Sequence, residues 1–203
     1  MKQWLFGLGI LMSACMQDNK GNTKLNLFTL EDDIQLGQDL EAEIAANPQD
    51  YPVLDPSQYS EAYDHLYRIR DAILASGEVQ HADDFEWKLY IIEDDDVLNA
   101  FCAPGGYIYV YTGLIKFLEY EDQLAGVLGH EIAHADLRHS TQQLSQQYGI
   151  AVLLSLLTKG DPGLLAEIAG GLASLSFSRA DESESDAASV DYLCATDYAA
   201  DGT

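Results

Sequence analysis

The chain has 203 residues, 47% of them hydrophobic and 22% charged, a balance that suits one globular domain with its own core. Its formal charge of −24 argues against nucleic acid and against anionic membrane surfaces as partners, because both repel a strongly acidic protein. The acidity reads as a solvated surface and says little about chemistry.

The chain opens like an export signal. Lys2 supplies a positive start, Trp4 to Met12 form a short apolar core, and the small residues Ser13 and Ala14 precede Cys15. The apolar run falls far short of the roughly 20 residues that span a bilayer. Small residues before a cysteine resemble a bacterial lipoprotein cleavage box, in which Cys15 would become the lipidated first residue. Met12 stands where that pattern usually has leucine, and an ordinary secretory signal or a buried apolar end are the alternatives. Residues 1–15 are thus read as the signal, 16–28 as a flexible polar tether and 29–203 as one domain. One acyl chain binds a membrane weakly and reversibly, so stable anchoring needs a second attachment. Export would permit a disulfide between Cys102 and Cys194. Their spacing does not require one, and two buried free thiols are expected.

Within the domain, Thr29 ahead of Glu31 and Asp32 marks a helix start. Leu30, Ile34, Leu36, Leu40 and Ile44 follow at roughly helical spacing, and Asn47 and Pro48 end the helix. Ser60 opens a second helix with Tyr63, Leu66, Ile69 and Ile73 as its apolar stripe. Both read as packing elements. His65 and His81 have no partner at ligand spacing and are expected at the surface or in packing. Strand formers then take over, at 87–92, 97–102 and 107–111, with turns at Asp94 to Asp96 and Pro104 to Gly106. Tyr107, Tyr109 and Tyr111 share one face, and Ile108 and Val110 the other. The expectation is a small antiparallel sheet. The three adjacent aspartates lack the alternating spacing of a calcium loop and read as a solvated turn. From Thr112 the chain is mostly helical. One long helix is expected from Glu121 to about Gln147, then two short apolar segments, 150–157 and 164–175, then a last helix from Arg179 to Ala195. The apolar segments read as buried core helices, with a membrane-dipping hairpin as the alternative. The fold class is mainly α with a small sheet.

The chemistry lies in Leu128-Gly129-His130-Glu131-Ile132-Ala133-His134. Residues four apart share a helix face, so the imidazoles of His130 and His134 can converge on one metal ion, and Glu131 can reach water there. Zinc in such a site acidifies water and polarises a carbonyl, with the glutamate as base. Leu124, Val127, Leu128, Ile132 and Ala133 make the helix too apolar for a solvated rod, and a buried His/Glu/His cluster needs partners that a metal supplies. A third ligand is required. A histidine six residues after the second is ruled out, because Ser140 stands there; His139 is one residue short and is expected on the surface. A glutamate from a separate helix fits better. In Ser178 to Asp186, Glu182 and Asp186 are four apart and share a face. Glu182 can ligate zinc, and Asp186 can accept a hydrogen bond from a ligand histidine and fix its tautomer. An exposed acidic helix start is the alternative reading of these carboxylates.

Four separated segments together resemble the HtpX-like and CAAX-prenyl-protease-like zinc metallopeptidases: Asn99 to Tyr109, Gly113-Leu114, Leu124 to His134, and Ser178-Arg179 with Glu182, Glu184 and Asp186. The match runs from about Phe28 to the end. It implies a gluzincin-like α+β domain with a small sheet beside the active-site helix. It implies one Zn2+ on His130, His134 and Glu182, Glu131 as catalytic base and Asp186 behind a ligand histidine. It also implies that the strand at Asn99 and Ala100 borders the cleft, where a substrate could add as a strand. With the lipoprotein-like start, the resemblance points to periplasmic, lipid-anchored members that act on unfolded or misassembled envelope proteins. Ser185 departs from the family's usual alanine. The family also continues beyond Thr203 with further helices and a histidine near the zinc, so the chain reads as a C-terminally truncated member or a fragment. A non-catalytic, metal-stabilised chaperone or assembly factor and an inactive truncated relative are the rival functions.

Overall fold

The computed structural model describes residues 15–17, 23–148, 154–156 and 161–200. Residues 1–14, within the expected export signal, and most of the apolar segment 150–157 lie outside them. Strand β1 (Cys15–Gln17) pairs antiparallel with β2 (Thr23–Leu25). The residues that follow are docked rather than free. Asn26 and Phe28 are buried, Asn26 Nδ2 donates to Thr141 Oγ1 at 3.1 Å, and the Leu27 N–H donates to Ser145 Oγ at 2.9 Å. Asn26 to Phe28, expected within the tether, thus belong to the folded domain, because Phe28 has a core to join.

Helix α1 (Leu30–Ala46) starts where the sequence places it. Thr29 Oγ1 accepts from the Asp32 N–H and the Asp32 carboxylate accepts from the Thr29 N–H, a closed capping box. Helix α2 (Ser60–Leu74) buries the expected stripe of Tyr63, Leu66, Ile69 and Ile73. The sheet that follows is mixed, not antiparallel. Its strands are β3 (Lys88–Ile92), β4 (Ala100–Ala103) and β5 (Tyr107–Tyr111), in the order β3-β5-β4. β4 runs antiparallel to β5, whereas β3 runs parallel to it, Leu89 opposite Ile108 and Ile91 opposite Val110. The reason is the link from Glu93 to Asn99, which stays outside the strands and carries β4 past its neighbour's place. A parallel pair needs a long connection, and residues 93–106 supply it. β5 then fills the gap, and every residue of it is buried.

The pleat sorts two cores. Tyr107, Tyr109 and Tyr111 face one layer, with Phe101, Leu36, Leu40, Ile44, Leu144 and Ile168. Ile108 and Val110 face the other, with Cys102, Leu66, Ile69, Leu128 and Ile132. Helices therefore cover both faces of the sheet. After α3 (Thr112–Phe117) comes α4 (Glu121–Asp136), and the expected long helix breaks. Arg138 has φ 60° and ψ 33°, a left-handed conformation, and α5 (His139–Gln147) begins anew. That conformation costs a non-glycine residue roughly 1–2 kcal/mol. Tertiary contacts offset it: the Arg138 guanidinium donates to the Phe28 and Thr29 carbonyls at 2.7 and 2.9 Å and pairs with buried Asp33. Helix α6 (Pro162–Leu172) is capped by Asp161 and buries Ile168, Ala169 and Leu172, as a core element does. Among the described residues no helix is long and apolar enough to cross a membrane. Helix α7 (Arg179–Cys194) packs along α4.

Candidate metal centre

Two helices and one strand edge build the site. α4 carries His130, Glu131 and His134, and α7 carries Glu182 and Asp186. Small residues let the helices touch: a Cβ on Gly129 would lie 2.6 Å from Ser189 Oγ. The contact brings the motif's histidines to the acidic start of α7, which is fixed by a capping box between Ser178 and Asp181.

His130 Nε2 and His134 Nε2 lie 2.9 Å apart. A Glu182 carboxylate oxygen lies 3.6 Å from the first and the other 3.8 Å from the second. One ligand atom from each residue falls within 4.8 Å of the others. Four ligands about 2.0–2.1 Å from a tetrahedral zinc stand about 3.3 Å apart, and the three separations bracket that value. The donor set, two imidazoles and one carboxylate, is that of a catalytic site with an open fourth position. The residues therefore fit a zinc ion. His130 Nδ1 meets Asp186 Oδ1 at 2.9 Å. With its proton given to the carboxylate there, His130 keeps a bare Nε2 for a metal. His134 is 2% exposed, and Phe177 stacks on its ring at 4.2 Å.

Glu131 sits against β4. The backbone N–H and the thiol of Cys102 lie beside its carboxylate and favour the charged form, yet burial, with the Glu182 charge second, pushes its pKa up to about 8. A group poised there suits proton transfer near neutral pH; a bound dication would draw it down. β4 is an edge strand, and its main chain alternates. The Tyr111 N–H donates to the Asn99 carbonyl at 3.1 Å, so Asn99 faces β5. Cys102 faces away, its N–H to Glu131 and its carbonyl to Ser140 Oγ. Ala100, two residues before Cys102, faces away as well. Asn99, Ala100, His130, Glu131, His134, Ala173, Phe177 and Glu182 line one cavity of about 210 Å³. The Asn99 side chain donates across it to the Ala173 carbonyl at 2.9 Å.

The sequence places His139 on the surface, and the structure corrects this. His139 is 1% exposed. Its Nδ1 lies 3.0 Å from His134 Nδ1, and its Nε2 lies 3.5 Å from a Glu184 oxygen and 3.8 Å from an Asp181 oxygen. The helix break at Arg138 hid it. His65 and His81 keep their expected peripheral roles, His65 half-exposed and His81 beside Asp84. Cys102 and Cys194 are both free; Cys102 is buried as expected, but Cys194 is exposed.

Comparison with known proteins points to metallopeptidases. The family model described as Peptidase family M48 matches residues 64–203. The mitochondrial metalloendopeptidase OMA1 of Arabidopsis thaliana is 30% identical over 61% of this chain and 26% of its own length. Metalloprotease YcaL of Escherichia coli is 32% identical over 53% of this chain and 43% of its own. The beta-barrel assembly-enhancing protease of Yersinia pestis is 31% identical over 51% and 24%. The chain thus spans less than half the length of each of these relatives. The match is to the family as a whole rather than to the HtpX-like or CAAX-prenyl-protease-like members that the sequence motifs suggest. With that match covering α4, α7 and every residue of the cluster, the chain belongs to peptidase family M48, the zinc-dependent metallopeptidases.

Proposed function

We propose that the chain is a zinc endopeptidase in which His130, His134 and Glu182 hold the ion and Glu131 is the catalytic base. One observation carries the proposal: two imidazole nitrogens and a carboxylate from two helices converge within 4.8 Å on a cavity that Glu131 and the edge of β4 also line. Zinc held there supplies Lewis acidity toward a peptide carbonyl and toward water. Glu131 takes a proton from water at its carboxylate and returns it to the departing amine. The Cys102 N–H and thiol beside that carboxylate favour its charged form. Asp186 keeps His130 turned with Nε2 toward the ion. An extended peptide pairs with the outward main-chain groups of Ala100, adding a strand to the sheet. Asn99 sets the width of this entrance through its bond to Ala173.

Main-chain pairing reads no particular side chain, so the substrates are unfolded or misassembled proteins. The names of the bacterial relatives, one of them a protease that enhances beta-barrel assembly, favour the cell envelope. With lipidation at Cys15, the site would work on the periplasmic side of a bacterial membrane. The test is cleavage of an unfolded protein by the zinc-loaded chain and by a Glu131→Gln variant. Cleavage by the parent alone supports the assignment. A variant that cleaves as fast as the parent removes Glu131 from its role, and equal zinc-dependent binding without cleavage by either points to a chaperone-like role.

A further inference from the structure

We propose that His139 is a positioning residue for the metal centre, fixing the tautomer of His134 with Glu184 and Asp181 behind it. The inference rests on the reading of His134 as a zinc ligand and extends it to residues with no assigned role.

Neutral imidazole carries one proton, on one nitrogen or the other. To bind zinc, His134 needs a bare Nε2, so its proton sits on Nδ1. That nitrogen lies 3.0 Å from His139 Nδ1. Two nitrogens at that distance share one proton, so His139 Nδ1 must be the acceptor. Its proton then sits on Nε2, which faces the carboxylates of Glu184 at 3.5 Å and Asp181 at 3.8 Å. The arrangement has one direction: the carboxylates draw the His139 proton to Nε2, His139 accepts from His134, and His134 offers its remaining lone pair outward. Ser185 Oγ lies 3.2 Å from the same His139 Nδ1, farther than the His134 nitrogen at 3.0 Å; its hydroxyl can turn to donate there. Burial makes the choice matter. His139 and His134 are 1% and 2% exposed, leaving little room for water to replace a lost partner.

The same geometry excludes an obvious rival. His139, Asp181 and Glu184 also bring ligand atoms within 4.8 Å of one another, as a second metal site would. A metal on His139 Nε2 would move that ring's proton to Nδ1. His139 would then donate to His134 Nδ1, and the proton of His134 would move to Nε2, where zinc should bind. With neutral rings the two sites cannot be filled together. The carboxylate pair therefore serves the first site and does not form a second.

Three variants of the full chain test this by zinc affinity, measured by competition with a chelator. His139→Phe keeps a ring but removes the acceptor, and zinc should bind 10–100-fold more weakly, the usual effect of losing such a partner. His139→Asn restores an acceptor oxygen near the place of Nδ1 and should bind zinc close to the parent's affinity. Ser185→Ala removes the second contact of His139 Nδ1 but keeps the His134–His139 bond, and should weaken zinc binding far less than His139→Phe. Long-range 15N NMR of the zinc-loaded parent reads the tautomers without any substitution, and should show a protonated Nδ1 on His134 and a bare Nδ1 on His139. A protonated Nδ1 on His139, two zinc ions per chain, or parental affinity in His139→Phe overturns the inference. A parent that binds no zinc removes the metal reading itself, and the tautomer requirement with it.

Discussion

The contact between α4 and α7 can be tested at one atom. Gly129 precedes the first histidine and faces α7. A Cβ there would stand 2.6 Å from Ser189 Oγ, 3.5 Å from Ser189 Cβ and 3.7 Å from Leu193 Cδ1. Ordinary contact begins near about 3.5 Å, so only the hydroxyl obstructs it. Gly129→Ala should cost about 1–3 kcal/mol from overpacking. Alanine returns about 1 kcal/mol of helix propensity, leaving a net loss of roughly 0–2 kcal/mol. Ser189→Ala removes the oxygen. Its bond to the Gly126 carbonyl is long, 3.4 Å, so that change alone should cost less than about 1 kcal/mol. In the Ser189→Ala background, Gly129→Ala meets only ordinary contacts, and the propensity gain of about 1 kcal/mol remains. The same substitution thus changes sign with its neighbour, a coupling of about 1–3 kcal/mol. Urea unfolding of the four metal-free proteins measures it. Additivity within about 0.5 kcal/mol would refute the claim that the helices press together at this residue. Since α7 carries Glu182 and Asp186, zinc affinity should fall in Gly129→Ala and recover in the double variant.

Arg138→Ala leaves Asp33, 1% exposed, without its cation, and should lower stability by about 3–5 kcal/mol; a thermal melt shifted as little as that of a surface variant would show the pair to be dispensable. In a Cys15→Ser background, a thiol reagent should label Cys194 quickly and Cys102 only in denaturant, since the first is exposed and the second buried. Fast labelling of both would contradict the packing of β4 on α4. Glu182→Ala should weaken zinc binding far more than Asp186→Ala. The latter should cost about tenfold, the low end of the range, because Asp186 is 68% exposed. An equal loss in both would mean that the two carboxylates do not divide their roles as proposed.

Much of the fold was legible because it follows local rules. The capping box at Thr29, the stripe of α2 and the alternation of β5 each depend on residues a few positions apart. Strand order does not. Nothing between Ile92 and Ala100 says that β5 will return into the space between β3 and β4, since that depends on which strand is buried on both sides. Edge polarity was hidden for the same reason. That Ala100 turns its main chain outward emerges only once Asn99 is seen bonded to Tyr111 and Cys102 lying beside Glu131. The motif's own residues were easier, because helical spacing alone puts His130 beside His134.

The misplacement of His139 follows from one error, the unbroken helix. On a continuous helix, residue 139 is five positions past His134 and about 140° around the axis from it, which points its ring away. The left-handed residue Arg138 re-aims the chain and brings the two Nδ1 atoms to 3.0 Å. Neither glycine nor proline marks the break, yet the sequence carried an indirect sign of it. Asp33 precedes Leu36, Gly37 and Leu40 on the buried face of α1, and a carboxylate there needs a cation. The chain has only 10 lysines and arginines against 34 acids, so a cation given to the interior is conspicuous. Arg138 is that cation, and a side chain drawn across to α1 bends the backbone that carries it. The acid on the stripe of α1 and the histidine behind the metal centre are thus two ends of one arrangement: Asp33 holds Arg138, Arg138 breaks the helix, and the break delivers His139 to His134.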